Sequence, residues 1–227
     1  MDTPNRLFTR RSLAAILLGF SGLATLTLFL GITAFDQAPG QPATSPPRWP
    51  AATKLKHLGG EAELLVFVHP LCNCTNATIA ELAKFNARRR QVKAPSITFI
   101  VYRPDRNSGW DEKSFVASAA ALPNARTLWD DGGEEAARFG ARTSGYVLLY
   151  SAEGDLVFRG GITGARGHEG DNYGLDALVA ALASPHASGP LRKNPVFGCA
   201  LGSWDAPVTV NKQGRLALAP AQGGRLL

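Results

Sequence analysis

Five apolar residues, Leu64 to Val68, give way almost at once to a stretch from Thr75 to Arg90 in which Ile79, Leu82, Ala83 and Phe85 recur at roughly helical spacing. A buried strand feeding directly into an amphipathic helix is the opening unit of an α/β sheet. Two cysteines, Cys72 and Cys74, stand at that junction within the run His69-Pro70-Leu71-Cys72-Asn73-Cys74. A thiol at the first turn of a helix meets unpaired backbone N–H groups and the positive end of the helix dipole. Both favour the thiolate, which attacks disulfides and binds soft metals. The junction therefore reads as the reactive centre of a redox or metal-handling protein.

The chain downstream continues the alternation. Ser96 to Tyr102 is predicted as a second strand, with Ile97, Phe99 and Val101 on one face. Asp111 to Leu122 reads as a helix, acidic at its start and stopped by Pro123. Ala125 to Trp129 is expected as a third strand, followed by a short helix capped by Asp130 and Asp131 and ended by Gly140. Tyr146 to Tyr150 and Leu156 to Arg159 flank Ser-Ala-Glu-Gly-Asp, a hairpin signal, and Asn172 to Leu182 is the last helix. A small hairpin around Val208 to Leu218 falls in a Pro- and Gly-rich tail. This order predicts an α/β fold: a mixed sheet with helices on both faces. Trp129 and Phe139 are assigned to its core.

Upstream lies a different kind of sequence. Ser12 to Phe35 carries no charged residue, long enough to cross a bilayer core of about 30 Å. Arg6, Arg10 and Arg11 precede it, so the positive-inside rule keeps the N-terminus in the cytoplasm and exports the rest. The rival is a cleaved signal peptide, whose apolar region is shorter and ends at a small-x-small site. An uncleaved single-pass anchor is the expectation, in a bacterial inner membrane with the domain in the periplasm, where disulfides are permitted. Prolines 39, 42, 46, 47 and 50 make Asp36 to Pro50 a semi-extended spacer. The expected organisation is a cytoplasmic N-terminus over residues 1–11, an anchor over 12–35, a linker over 36–50, a domain over 51–184 and an extension over 185–227.

A net charge of +6 raises the question of nucleic acid. The positive charges are dispersed, however, and the one dense run, Arg88 to Arg90, ends a predicted helix, where cations answer the C-terminal dipole. No nucleic-acid partner is expected. The expected partners are exported protein thiols and disulfides, a redox partner, and the membrane through the N-terminal helix.

The stretch from Leu64 to Leu182 resembles the thioredoxin-like superfamily: strand, cysteine motif, long helix, then a β-hairpin and a closing helix. Ala136 to Ala141 before the hairpin and the Glu-Gly-Asp turn inside it extend the match. His69 to Thr75, and Gly160 to Asp171, are more narrowly similar to bacterial membrane-anchored proteins labelled RedB. The resemblance implies a thiol–disulfide oxidoreductase without cofactor. Two departures stand out. The superfamily motif is Cys-x-x-Cys, whereas Thr75 holds the second-cysteine position here. The superfamily also places a cis-proline before the hairpin, facing the thiols, where this chain has Thr143-Ser144-Gly145. Ser144 and Gly145 are therefore candidate substrate-binding residues. His168 joins them, because in this fold the loop from Gly161 to Asp171 should border Cys72 and Cys74.

Spacing limits what the cysteines can do. Residues two apart on a helix point about 200° from each other, so a Cys72–Cys74 disulfide would need the turn before the helix. Alternatively one of the pair attacks and Cys199 resolves, or Cys199 is a structural staple. The candidate catalytic residues are Cys72, Cys74 and Cys199. His69 is a partner for the thiolate, a metal ligand, or a strand-end histidine satisfied by backbone; His57 and His186 are given no role. Three functions compete: a membrane-tethered oxidoreductase, a Cu(I)-handling protein using Cys72, Cys74 and His69, and a non-catalytic interaction module. A peroxidase is discounted for want of a Thr-x-x-Cys motif.

Overall fold

The computed structural model describes residues 5–41, 44–57, 59–88, 94–103, 114–183, 191–202, 208–210 and 216–218. The chain divides into two units, one ending at Ala38 and one beginning at Pro39. The first is a single helix, α1 (Asn5–Asp36). Its segment Ser12–Asp36 is apolar and long enough to cross a membrane, a test that a signal sequence near the N-terminus also passes.

The second unit is built on a six-stranded sheet. Its elements run β1 (Glu63–Val68), α2 (Asn73–Arg88), β2 (Ser96–Arg103), α3 (Ser114–Ala120), β3 (Ala125–Asp131), α4 (Glu134–Arg138), β4 (Tyr146–Tyr150), β5 (Leu156–Gly160), α5 (Tyr173–Ala183) and β6 (Arg192–Lys193). The strand order is β3-β2-β1-β4-β5-β6. β1 lies parallel to β2 and antiparallel to β4, and the hairpin β4–β5 closes that side. A separate pair, β7 (Val208–Val210) with β8 (Leu216–Leu218), is antiparallel. The predicted strands and hairpins are present, with ends shifted by a residue or two. The expected start of α3 at Asp111, the end of α2 beyond Arg88, and His186 lie outside the described residues.

β1 is buried throughout because it is central, and its side chains alternate between two cores. Leu64, Val66 and Val68 join Ile79, Leu82 and Phe85 of α2 and Leu178, Ala181 and Leu182 of α5 in one core. Leu65 and Phe67 join Ala136 and Phe139, the β4 residues Tyr146, Leu148 and Tyr150, and Val196 and Leu201 in the other. The second face has one short helix, α4. Asp130 organises it: the carboxylate accepts from the Glu135 and Ala136 amides, both at 2.9 Å, although the N-cap position itself is Gly133. Asp131 instead pairs with Arg103 at 2.6 Å.

Among the described residues, 39–41 and 44–50 complete that second face. The Gly40 amide donates to Val196 O at 2.7 Å, Leu156 to Pro47 O at 2.9 Å, and Trp49 to Gly154 O at 2.8 Å. Ser45 is buried and hydrogen-bonded to Tyr146 at 3.0 Å, and the Tyr150 hydroxyl donates to Pro46 O at 3.0 Å. Trp49 sets its ring edgewise against Phe139 and Tyr150. Prolines restrict such a chain to extended backbone while leaving every carbonyl free to accept, which suits a strap laid across tyrosines. The extension is likewise integral at its start. β6 pairs with β5, and Val196 and Leu201 are buried.

Candidate functional site

Three local structures meet beyond the end of β1. The first is the turn into α2, where the Cys72 amide donates to His69 O at 3.1 Å and Thr75 N to Cys72 O at 3.0 Å. Cys72 thus sits just before the helix, and Cys74 inside its first turn. The second is the segment Thr143–Gly145 entering β4. The third is the stretch Asn194–Leu201, which crosses the site as a strap.

The strap pairs with Arg142–Ser144 as a short antiparallel strand. Ser144 N donates to Cys199 O at 2.8 Å, Leu201 N to Arg142 O at 3.0 Å, and Thr143 bridges Ala200. Gly198 permits the close approach, since a Cβ there would overlap the Ser144 carbonyl. Arg166 Nη1 donates to Gly198 O at 2.6 Å from the other side. The result brings the Cys199 amide to 3.4 Å from Cys72 Sγ.

All three cysteines are free thiols; Cys72 and Cys74 are buried and Cys199 is exposed. The Cys199 amide donates to Cys72 Sγ at 3.4 Å. Hydrogen bonding from Cys74 first, and then from Cys199, outweighs burial and lowers the Cys72 pKa to about 4. The same contact pushes Cys74 up, because its proton is committed to Cys72 and burial adds to the effect. Burial, followed by its hydrogen bond to Cys72, raises Cys199 to about 11, with Arg166 opposing. The arrangement is one thiolate cradled by two thiols that stay protonated.

Thr75, in the position of a second cysteine, belongs to a polar clasp instead. The His69 amide donates to Ser144 Oγ at 2.9 Å, so the Ser144 hydroxyl is left to donate to Thr75 Oγ1 at 3.1 Å. Thr75 in turn donates to His69 O at 3.0 Å. The clasp ties the end of β1, the start of α2 and the β4 entry together. Gly145 donates to Phe67 O at 2.8 Å with φ 87°, and no cis peptide bond occurs among the described residues. Ser144 thus lies at the site, but its amide is already occupied by Cys199 O and its hydroxyl by the clasp.

His69 is a turn residue. Its Nδ1 accepts the Leu71 amide at 3.1 Å, the ring stacks on Tyr102 with centroids 5.6 Å apart, and burial lowers its pKa. The Cys72 charge opposes that burial effect and favours the protonated ring. Among the described residues no group of three or more His, Cys, Asp or Glu side chains that could hold a metal ion occurs. In the loop Gly161–Asp171, His168 is exposed and its amide turns back to Ala165 O at 3.3 Å. From that loop, Arg166 bonds the Gly198 carbonyl next to Cys199 and its charge lowers the Cys199 pKa, while the Gly167 amide lowers that of Cys74. Sequence reasoning passed over both; an arginine inside a glycine-rich loop beside a cysteine motif was the available signal.

No family model and no curated protein matches the chain. Among solved structures, an uncharacterised conserved protein from Geobacillus kaustophilus aligns with TM-score 0.52 at 17% identity, over 73% of this chain and 92% of that one. A hypothetical protein from Sinorhizobium meliloti aligns with TM-score 0.49 at 22% identity, over 72% and 93%. A secreted Mycobacterium tuberculosis disulfide oxidoreductase aligns with TM-score 0.40 at 24% identity, over 56% and 84%. With β1 flanked by parallel β2 and antiparallel β4, and a cysteine turn leading from β1 into α2, the chain has a thioredoxin-like fold.

Proposed function

We propose that this protein is a membrane-anchored thiol–disulfide oxidoreductase that works on exported proteins, with Cys72 as its nucleophile. The observation that carries the reading is the position of Cys72 just before α2, with the Cys199 amide 3.4 Å from its Sγ and Cys74 in the helix's first turn. A sulfur held as thiolate at neutral pH, next to two further thiols, has what disulfide exchange needs: a nucleophile and a second sulfur to resolve the mixed disulfide. α1 is the anchor in this reading, with the Arg6, Arg10 and Arg11 end in the cytoplasm and the domain in the periplasm. The RedB-like motifs at His69–Thr75 and Gly160–Asp171 agree with it, the second supplying Arg166 and Gly167 to the site.

The full-length protein in detergent micelles should reduce insulin or refold a scrambled disulfide protein, and Cys72→Ser should abolish turnover. Unchanged turnover in that variant removes Cys72 from the mechanism. Retention of stoichiometric Cu(I) by the reduced protein against a competing chelator, with no exchange activity, would replace the reading with a copper-handling one.

A further inference from the structure

The strap occupies the edge that a substrate peptide would use. In sheet-edge recognition, an extended peptide pairs its backbone with exposed N–H and C=O groups. Here the groups of Arg142–Ser144 next to Cys72 are already paired, by the chain's own Cys199–Leu201. The residue that this internal strand presents to Cys72 is a cysteine, with its amide 3.4 Å from Cys72 Sγ. Cys72 itself is 4% exposed, whereas Cys199 is open to solvent. Partners therefore meet Cys199 first.

We propose that Cys199 is the exchange point of the protein: it forms the disulfide with Cys72, and incoming thiols attack it rather than the buried pair. This rests on the oxidoreductase reading above. Cys74 is the poorer partner because it lies within α2, where Thr78 Oγ1 donates to its carbonyl at 3.2 Å, while Cys72 precedes the helix. Joining them would unwind the first turn. Cys199 approaches from a separate segment, outside any helix, with its amide 3.4 Å from the Cys72 sulfur.

The chemistry runs as two displacements with a protein dithiol as reductant. One partner thiol loses its proton to solvent, and its sulfur attacks Cys199 Sγ. The Cys72–Cys199 bond breaks, and its electron pair leaves on Cys72, the better leaving group because its thiolate is the more stabilised. The second partner thiolate then attacks the partner sulfur of the mixed disulfide. Cys199 departs with that electron pair and takes up a proton. The partner is oxidised to a disulfide by two electrons, leaving Cys72 thiolate and Cys199 thiol, both cysteines unbonded to each other as in this structure. A disulfide-bearing partner restores the bond by the reverse path: Cys199 loses its proton and takes one partner sulfur, expelling the other as thiolate, and Cys72 is then the nucleophile that attacks Cys199 Sγ and releases the partner. Because Arg142–Ser144 stays covered, recognition does not require the partner to add a strand.

The test is peptide mapping of the full-length protein, oxidised, briefly exposed to reduced glutathione and quenched in acid. The expected result is a Cys72–Cys199 disulfide in wild type and in Cys74→Ser, lost in Cys199→Ser. The first glutathione adduct should fall on Cys199 in excess over Cys72 by at least about tenfold. A Cys72–Cys74 disulfide, or an adduct mainly on Cys72, overturns this proposal and leaves the oxidoreductase reading standing. Absence of any exchangeable disulfide in the wild-type protein overturns both. A Cys74→Ser variant without the bond overturns the proposal if its circular dichroism matches wild type; if it does not, the wild-type map decides.

Discussion

The two faces of the sheet are covered in different ways. One carries α2 and α5, which bury repeating apolar side chains. Among the described residues, the other carries one short helix and two irregular straps, 39–50 apart from 42 and 43, and Asn194–Leu201, held by backbone hydrogen bonds and a close glycine contact. Helices derive adhesion from apolar area, spread over many residues. The straps combine a few apolar anchors, Trp49, Val196 and Leu201, with polar contacts each worth only ~0.5–1.5 kcal/mol net. The weaker covering is the one that brings Cys199 to Cys72, so the reactive chemistry and the locally breakable structure lie together.

That contrast can be broken most forcefully on the helical side. Leu82 is fully buried in α2, and Leu82→Ala should cost ~2–5 kcal/mol, read as a lower urea midpoint with unchanged slope. A cost under ~1 kcal/mol would mean that the helical face does not carry the fold as described. On the strap side, Gly198→Ala forces a Cβ against the Ser144 carbonyl and should cost ~1–3 kcal/mol. Its sharper signature is local. Cys199 should alkylate faster and the Cys72 thiolate should become less stable, since two of its donors leave with the strap. Unaltered cysteine reactivity would detach the strap from the site. The smallest effect is expected for Tyr150→Phe, which removes the bond to Pro46 O at 3.0 Å and should cost ~1 kcal/mol. Proteolytic cleavage within residues 44–50 should rise in that variant; an unchanged rate would show that Trp49 and Ser45 suffice.

The same contrast explains what the sequence disclosed. Period-two and helical patterns exposed β1, α2, β2, β4–β5 and α5, because apolar burial leaves a repeating signature in composition. The position of Cys72 and Cys74 followed from that pattern. The straps leave no such signature. Prolines 39, 46, 47 and 50 look like a linker until the tyrosines that bond to this stretch are in place. Cys199 lay on a segment whose docking depends on Gly198, Asn194 and Arg166 meeting surfaces formed by distant parts of the chain. Asn194 Nδ2, for instance, donates to Gly161 O at 2.9 Å. Which residue of the loop Gly161–Asp171 turns inward is set by tertiary geometry, as the Arg166 bond to Gly198 O illustrates.

Titration of the Cys72 thiolate bears most directly on the reactive centre. Cys72 is held at about 4 in the folded protein against an ordinary value of 9.0. A depressed acid stabilises the fold fully above the unfolded value, and the stabilisation is lost as pH falls toward the folded one. The stability difference between reduced wild type and Cys72→Ser should therefore shrink steadily from pH 9 to pH 4. Thiolate absorbance near 240 nm reads the group itself. One thiolate is expected in the reduced protein at pH 7, disappearing only as pH approaches about 4 and absent in Cys72→Ser. Absorbance that appears only on raising the pH toward 9, equally in both proteins, would contradict it.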